Sequence, residues 1–132
     1  MNNLDQIRAR NAFRRAGEAA FRGQEGGDAL SGFPALVINN GLLSALAFAA
    51  SNAGSPKGAG YSALGNAIAQ HLADPDVALV AANRRTLQDL LEELVRMDSY
   101  GLLSCTEETL FFLNYLRRFV KAGQGDSRQA QK

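Results

Sequence analysis

The stretch FPALVINNGLLSALAFAA, residues 33–50, decides how the rest of the chain is read. On a helical wheel its apolar residues occupy every side. Leu36, Leu43 and Ala47 lie on one line, Val37, Ala45 and Phe48 point elsewhere, and Leu42, Leu46 and Ala49 fill the remainder. A helix with no polar face must be covered all round. Lipid is a poor cover, because Asn39, Asn40 and Gly41 sit at its middle. Two amides there would go unpaired, and the run from Leu42 to Ala50 is too short for about 30 Å of hydrocarbon. The expectation is therefore an all-α protein, a compact bundle of about five helices around this buried central helix, with Leu43 in the core. Asn39-Asn40-Gly41 predicts either a kink or a neighbour packed on bare backbone.

Composition agrees with that reading. The chain has 132 residues, 46% hydrophobic and 20% charged, enough for a proper core. Few β-branched runs and no tryptophan argue against a sheet. A single helical domain is expected over residues 1–122, followed by a disordered tail, 123–132. The lone Cys105 cannot form an internal disulfide, which points to a reducing, cytoplasmic setting. The opening MNNLDQIRAR has neither an apolar core nor a cleavage site, so no signal peptide is expected.

Charge is unevenly spread behind a net +1. Residues 1–22 carry Arg8, Arg10, Arg14, Arg15 and Arg22 against Asp5 and Glu18, a balance of +3. Residues 74–108 carry eight acids against Arg84, Arg85 and Arg96, a balance of −5, and residues 114–132 return to +4. Two basic ends and an acidic middle suggest one surface for polyanions and another for a basic partner.

Upstream of the central stretch, a first helix is expected over residues 4–22. Ala9, Ala12, Phe13, Ala16, Ala19 and Ala20 form its apolar stripe, and the five arginines occupy the other side. Arginine without lysine favours phosphate, whose oxygens match the guanidinium fork. Residues 23–32, GQEGGDALSG, read as a glycine linker, with Pro34 in the first turn of the helix after it.

Downstream, residues 51–60 read as a second loop carrying the isolated Lys57. A short helix follows over residues 61–72, with Tyr61, Leu64, Ile68 and Leu72 at helical spacing and His71 at its surface or end. Asp74-Pro75 breaks the chain, and residues 77–82 form one helical turn or an irregular packed segment. From Arg85, Leu87, Leu90, Leu91, Leu94, Val95 and Met97 make a continuous apolar side opposite Asp89, Glu92 and Glu93. The last helix is expected to open at a capping box, Ser104 with Glu107, and to end at Gly123. Phe112, Leu113, Leu116, Phe119 and Val120 face inward; Asn114, Arg117, Arg118 and Lys121 share the opposite arc. With four of the ten aromatic residues assigned to it, this helix is expected to be the main partner of the central one.

No metal-ligand spacing, phosphate loop, nucleophile elbow or Ser/His/Asp set appears, and Glu92 and Glu93 lie on an open helix face. The chain is thus expected to be no enzyme, with no cofactor, no metal, no membrane and no small-molecule substrate. The candidate phosphate-binding residues, chosen on charge and helical spacing, are Arg8, Arg14, Arg15, Arg22, Arg117, Arg118 and Lys121.

Two stretches carry a family resemblance. Phe33-Pro34-Ala35-Leu36, leading into Asn40-Gly41-Leu42 and Leu46-Ala47-Phe48, is one. Tyr100, Thr106-Glu107, Leu110-Phe111-Phe112-Leu113 and Leu116-Arg117-Arg118-Phe119 make the other. In this order and at this length they resemble the small subunit of the type III-B CRISPR effector, the Cmr RNA-silencing complex. Gly101-Leu102-Leu103 departs from the family, where a shorter and more basic approach to the last helix is the rule. The resemblance implies a non-catalytic α-helical subunit of an antiviral ribonucleoprotein. It implies several copies stacked beside the backbone and large subunits, lining the groove that holds target RNA next to the guide. Outside that family, the composition also suits a stand-alone oligomerisation module or a nucleic-acid-binding regulator. A regulator would need a recognition helix with polar residues for base edges, and the arginines come without such a set.

Overall fold

Short side chains place the middle of the molecule. In the helix Gly58–Ala73, glycines 58, 60 and 65 and several alanines let neighbours approach on all sides, and eleven of its sixteen residues are buried. The computed structural model describes residues 3–56 and 58–123, and contains six α-helices among them. These are α1 (Leu4–Ala16), α2 (Gly23–Asn40), α3 (Leu42–Ser51), α4 (Gly58–Ala73), α5 (Leu87–Leu94) and α6 (Ser99–Lys121), with a 3-10 turn at Ala19–Phe21. The described residues contain no strand. The all-α expectation holds, with six helices instead of about five.

The central position belongs to α4, which touches every other helix and the 3-10 turn. Residues 33–50 do not hold it. Gly41, at φ 89° and ψ 157°, splits that stretch between α2 and α3. Its N–H still bonds the Val37 carbonyl at 2.8 Å, and its own carbonyl accepts from Ala45 at 3.0 Å. One residue thus closes one helix and opens the next, in a conformation that a side chain would strain. The kink alternative is the one realised. Around it Ile38, Asn39, Asn40, Ser44, Ala47 and Phe48 are exposed, while Phe33, Val37, Leu42, Ala45, Leu46 and Ala49 are buried. Leu43 is only half-buried, and Leu42 and Leu46 take the core position expected for it.

The expected linker over residues 23–32 is the first half of α2. Gly26, Ala29, Leu30, Phe33 and Val37 continue one buried side through it. Gly26 is itself a contact position: a Cβ there would lie 2.1 Å from the Ala20 carbonyl oxygen. Pro34 consequently sits inside α2, away from its first turn, at the loss of one backbone hydrogen bond.

The first helix is shorter than expected. It starts at a capping box in which Asn3 accepts from the Gln6 N–H at 2.8 Å, and it stops at Ala16. Gly17 and the extended Glu18 turn the chain so that Phe21 enters the core. The buried side of α1 is Ile7, Asn11, Ala12 and Ala16, with Phe13 left 41% exposed. In α5, Thr86 caps the Asp89 N–H, and Leu87, Leu90 and Leu94 are buried while Val95 is exposed. Residues 77–82 form the irregular alternative, pinned by the Leu79 and Val80 N–H groups on the Leu72 carbonyl.

The last helix opens earlier than Ser104. Asp98 is its N-cap, accepting from the Gly101 N–H at 2.7 Å, so residues 101–103 are helix and the Ser104–Glu107 pair lies inside it. Gly123, at φ 71°, follows its last turn. Its principal partner is α1, and not the stretch 33–50. Arg8 meets Glu108 and Phe111, and Phe13 meets Phe119, so the two helices run in the same direction. Residues 124–132, where most of the expected tail falls, and Lys57 lie outside the described residues.

Candidate nucleic-acid interface

The arginines of α1 divide into two groups. Arg8 is drawn inward: its Nε and Nη2 donate to the two oxygens of Glu108, each at 2.8 Å. Its Nη1 donates to Asp5 at 3.1 Å, and its guanidinium lies 4.3 Å from the centre of the Phe111 ring. Arg10 donates to Asp74 at 2.8 Å, and Arg15 pairs with Glu18. The expected exposed arginine face is therefore half used up by the fold. A guanidinium held in a bidentate carboxylate fork has few donors left for phosphate.

His71 joins the same network: it lies in the last turn of α4, the helix-end alternative, and not at the surface. The ring is 1% exposed and stacks on Phe112, with centroids 4.5 Å apart. Asp74 is an acceptor only, so the Asn11 amide must present its NH2 to it, at 2.9 Å. That orientation makes His71 Nδ1 the acceptor of the second Asn11 hydrogen, at 2.9 Å, and leaves Nε2–H to donate to Glu108 at 2.8 Å. Burial works to raise the Glu108 pKa. The bonds from Arg8, and with them His71, outweigh burial and hold it at about 2. Asp74 is lowered likewise: burial opposes, and the Asp76 N–H, Asn11 and Arg10 prevail. His71 and Glu108 resemble an acid–base pair in composition, but they face the interior and tie α1, α4 and α6 together.

The second group is free. Arg14, Arg22, Arg117, Arg118 and Lys121 are exposed, and none forms an ion pair among the described residues. All five gather around the C-terminal end of α6. Arg117, Arg118 and Lys121 line an open groove of about 630 Å³, whose other wall is Gly23, Gly27 and Ser31 of α2. Arg22 immediately precedes that wall. Arg14 lies on the other flank of α6, in a shallow groove with Phe13 and Phe119. Arg14 thus lines a different groove from Arg117, Arg118 and Lys121. Asp28 is the carboxylate of the larger groove, and Arg118 Nε donates to Asn114 at 3.2 Å.

Sequence reasoning identified these cations but could not separate them from Arg8 and Arg15. The distinguishing partners, Glu108 and Glu18, lie 100 residues away in one case and beyond an unforeseen helix end in the other. The glycines of α2 were missed as groove residues. Their small size, which lets the α6 cations stand over a bare helix, was legible only as a linker signal.

Chemically the groove offers fixed positive charge, N–H donors and a hydroxyl, the equipment for oxyanions. Among the described residues no group of histidine, cysteine and carboxylate side chains is arranged to hold a metal ion, and no helix is long and apolar enough to cross a membrane. A search of curated proteins gives no significant match. A family model described as CRISPR-associated protein (Cas_Cmr5) matches residues 4–123. With the match spanning all six helices, the chain belongs to the Cmr5 family, the small subunit of type III-B CRISPR effectors.

Proposed function

We propose that this chain is a non-catalytic subunit whose cationic end, around the C-terminus of α6, lines the groove that holds target RNA beside the guide. Copies stack along the assembly, next to its backbone and large subunits. The observation that carries this reading is the segregation of the arginines. Arg8, Arg10 and Arg15 are paired within the fold, whereas Arg14, Arg22, Arg117, Arg118 and Lys121 gather at one end with no ion pair among the described residues. Arg8 and Arg15 are then structural residues. Each exposed contact to phosphate is weak and screened over about 10 Å at moderate salt, so one copy holds RNA poorly. Stacked copies repeat the site, and avidity supplies the rest. Phosphate contacts position without reading bases, which suits a subunit serving any guide.

The test is target-RNA capture by the assembled effector carrying Arg117→Glu/Lys121→Glu. Capture should fall at low salt while assembly stays intact. Capture as tight as wild type would make the cationic end solvated surface and the subunit a spacer.

A further inference from the structure

The opposite end of α6 carries large apolar side chains on its outside. Tyr100 is 84% exposed, Leu103 56% and Phe111 54%. With Glu107 they recur at steps of three or four residues, which puts them on one face of the helix. Apart from the Arg8 guanidinium over Phe111, 4.3 Å from the ring centre, this face stays open in the described fold. The same helix turns are already anchored through Cys105, Glu108, Thr109 and Phe112, all buried. Beside the stripe, Leu4, Val77, Leu79 and Phe111 line an open groove of about 290 Å³, to which Asp76 and Glu107 also contribute.

The charge here is the reverse of that at the other end. Beside the groove the cations are Arg8 and Arg10, both committed, to Asp5 and Glu108 and to Asp74 and Asp76; Arg96, just before α6, is exposed and forms no ion pair among the described residues. The carboxylates of Asp5 and Asp76 are 65% and 59% exposed all the same. Glu107 is exposed and pairs with no cation among the described residues. His71, facing Glu108 from α4, is taken up by hydrogen bonds to Glu108 and Asn11. Carboxylates therefore outnumber guanidiniums around the apolar groove, and a polyanion is disfavoured there.

From this juxtaposition we propose that the Tyr100–Leu103–Glu107–Phe111 face of α6 is a docking surface for a basic protein segment of another effector subunit. The segment presents an apolar side chain to the groove, with lysine or arginine beside it. Lysine and arginine suit both features, since their stems lie along Leu4 and Phe111 while their charged ends reach Asp76 and Glu107. Apolar contact at the centre and opposite charge at the rim is the usual construction of a specific interface. The inference rests on the family's assembly with other subunits and is independent of the RNA reading.

The test uses the assembled effector with Leu103 replaced by the photo-crosslinker p-benzoylphenylalanine, and sequences the crosslinked peptides. The expected product joins Leu103's position to a peptide of a different subunit that carries an apolar residue next to lysine or arginine. A crosslink to RNA, to a second copy of this chain, or to an acidic peptide overturns the proposal. In parallel, Tyr100→Ser/Leu103→Ser/Glu107→Lys should weaken retention in the complex about tenfold or more, as loss of central contacts does. Should that variant melt early, Glu107→Lys alone suffices, being an exposed change. It should weaken retention at low salt and less so at high salt, and unchanged retention at both overturns the charge argument. RNA capture through Arg117 and Lys121 is measured separately, so either reading can fail alone.

Discussion

Glu108 and Arg8 show how a single residue can be mistaken for surface chemistry. By pattern, Arg8 belongs to a line of arginines and Glu108 to the early, acidic part of a helix. In the fold they form a nearly buried fork, with side chains 13% and 6% exposed. Removing one partner strands the other, and Arg8→Ala or Glu108→Ala should cost about 3 kcal/mol, read from urea melts. The pH dependence follows from the low Glu108 pKa. The folded carboxylate keeps its charge down to about pH 2, whereas in the unfolded chain it takes up a proton near its ordinary 4.5. Its contribution is thus complete above the unfolded value and is lost as pH falls from about 4.5 towards 2. Asp74, also lowered, adds loss of the same sign as acid is added. The melting temperature should drop through that window, and Glu108→Gln should flatten the drop without abolishing it. An equally steep drop in the variant would refute the account.

At the scale of elements, α2 makes the most exact demand. Gly26 and Gly27 are neighbours in a stretch whose composition says linker. A Cβ at Gly26 meets the Ala20 carbonyl oxygen at 2.1 Å, while one at Gly27 meets nothing within 4 Å. Gly26→Ala should therefore destabilise by about 1–3 kcal/mol through overpacking. Gly27→Ala should stabilise by about 0.4–1 kcal/mol, through helix propensity and a less mobile unfolded chain. Thermal melts of the two variants shifting the same way would sink the packed-helix reading. This pair also explains what the sequence could reveal. Apolar periodicity located α5 and the C-terminal part of α6, because leucine and phenylalanine announce a buried side. It failed where burial is achieved by having no side chain. Gly26, Gly58 and Gly60 read as flexibility, so the more apolar 33–50 looks like the centre although α4 holds it. N-caps were not legible: Ser104 lies inside α6, whose cap is Asp98 six residues upstream, and the caps Asn3 and Thr86 carry no signal in the apolar pattern. The basic residues were all visible, but their sorting into paired and free depends on contacts such as Arg8 with Glu108, which local sequence does not encode.

At the scale of the whole molecule, the two kinds of arginine should separate experimentally. Arg117 and Lys121 contribute no ion pair to the described fold, so Arg117→Glu/Lys121→Glu should leave the melting temperature nearly unchanged. Arg8→Ala should do the reverse, lowering stability while sparing RNA capture under conditions where the variant is folded. The salt dependence adds a quantity to the direction. Each phosphate neutralised on a single strand contributes about 0.7 to the slope of log affinity against log salt, so losing two such contacts should lower it by about 1.4. That slope is best measured on the assembled effector, where repeated sites bring affinity into range. A slope unchanged by Arg117→Glu/Lys121→Glu would mean that RNA does not lie along this end of α6. Equal loss of capture from Arg8→Ala in folded protein would mean that the buried network, and not the free cations, faces the RNA.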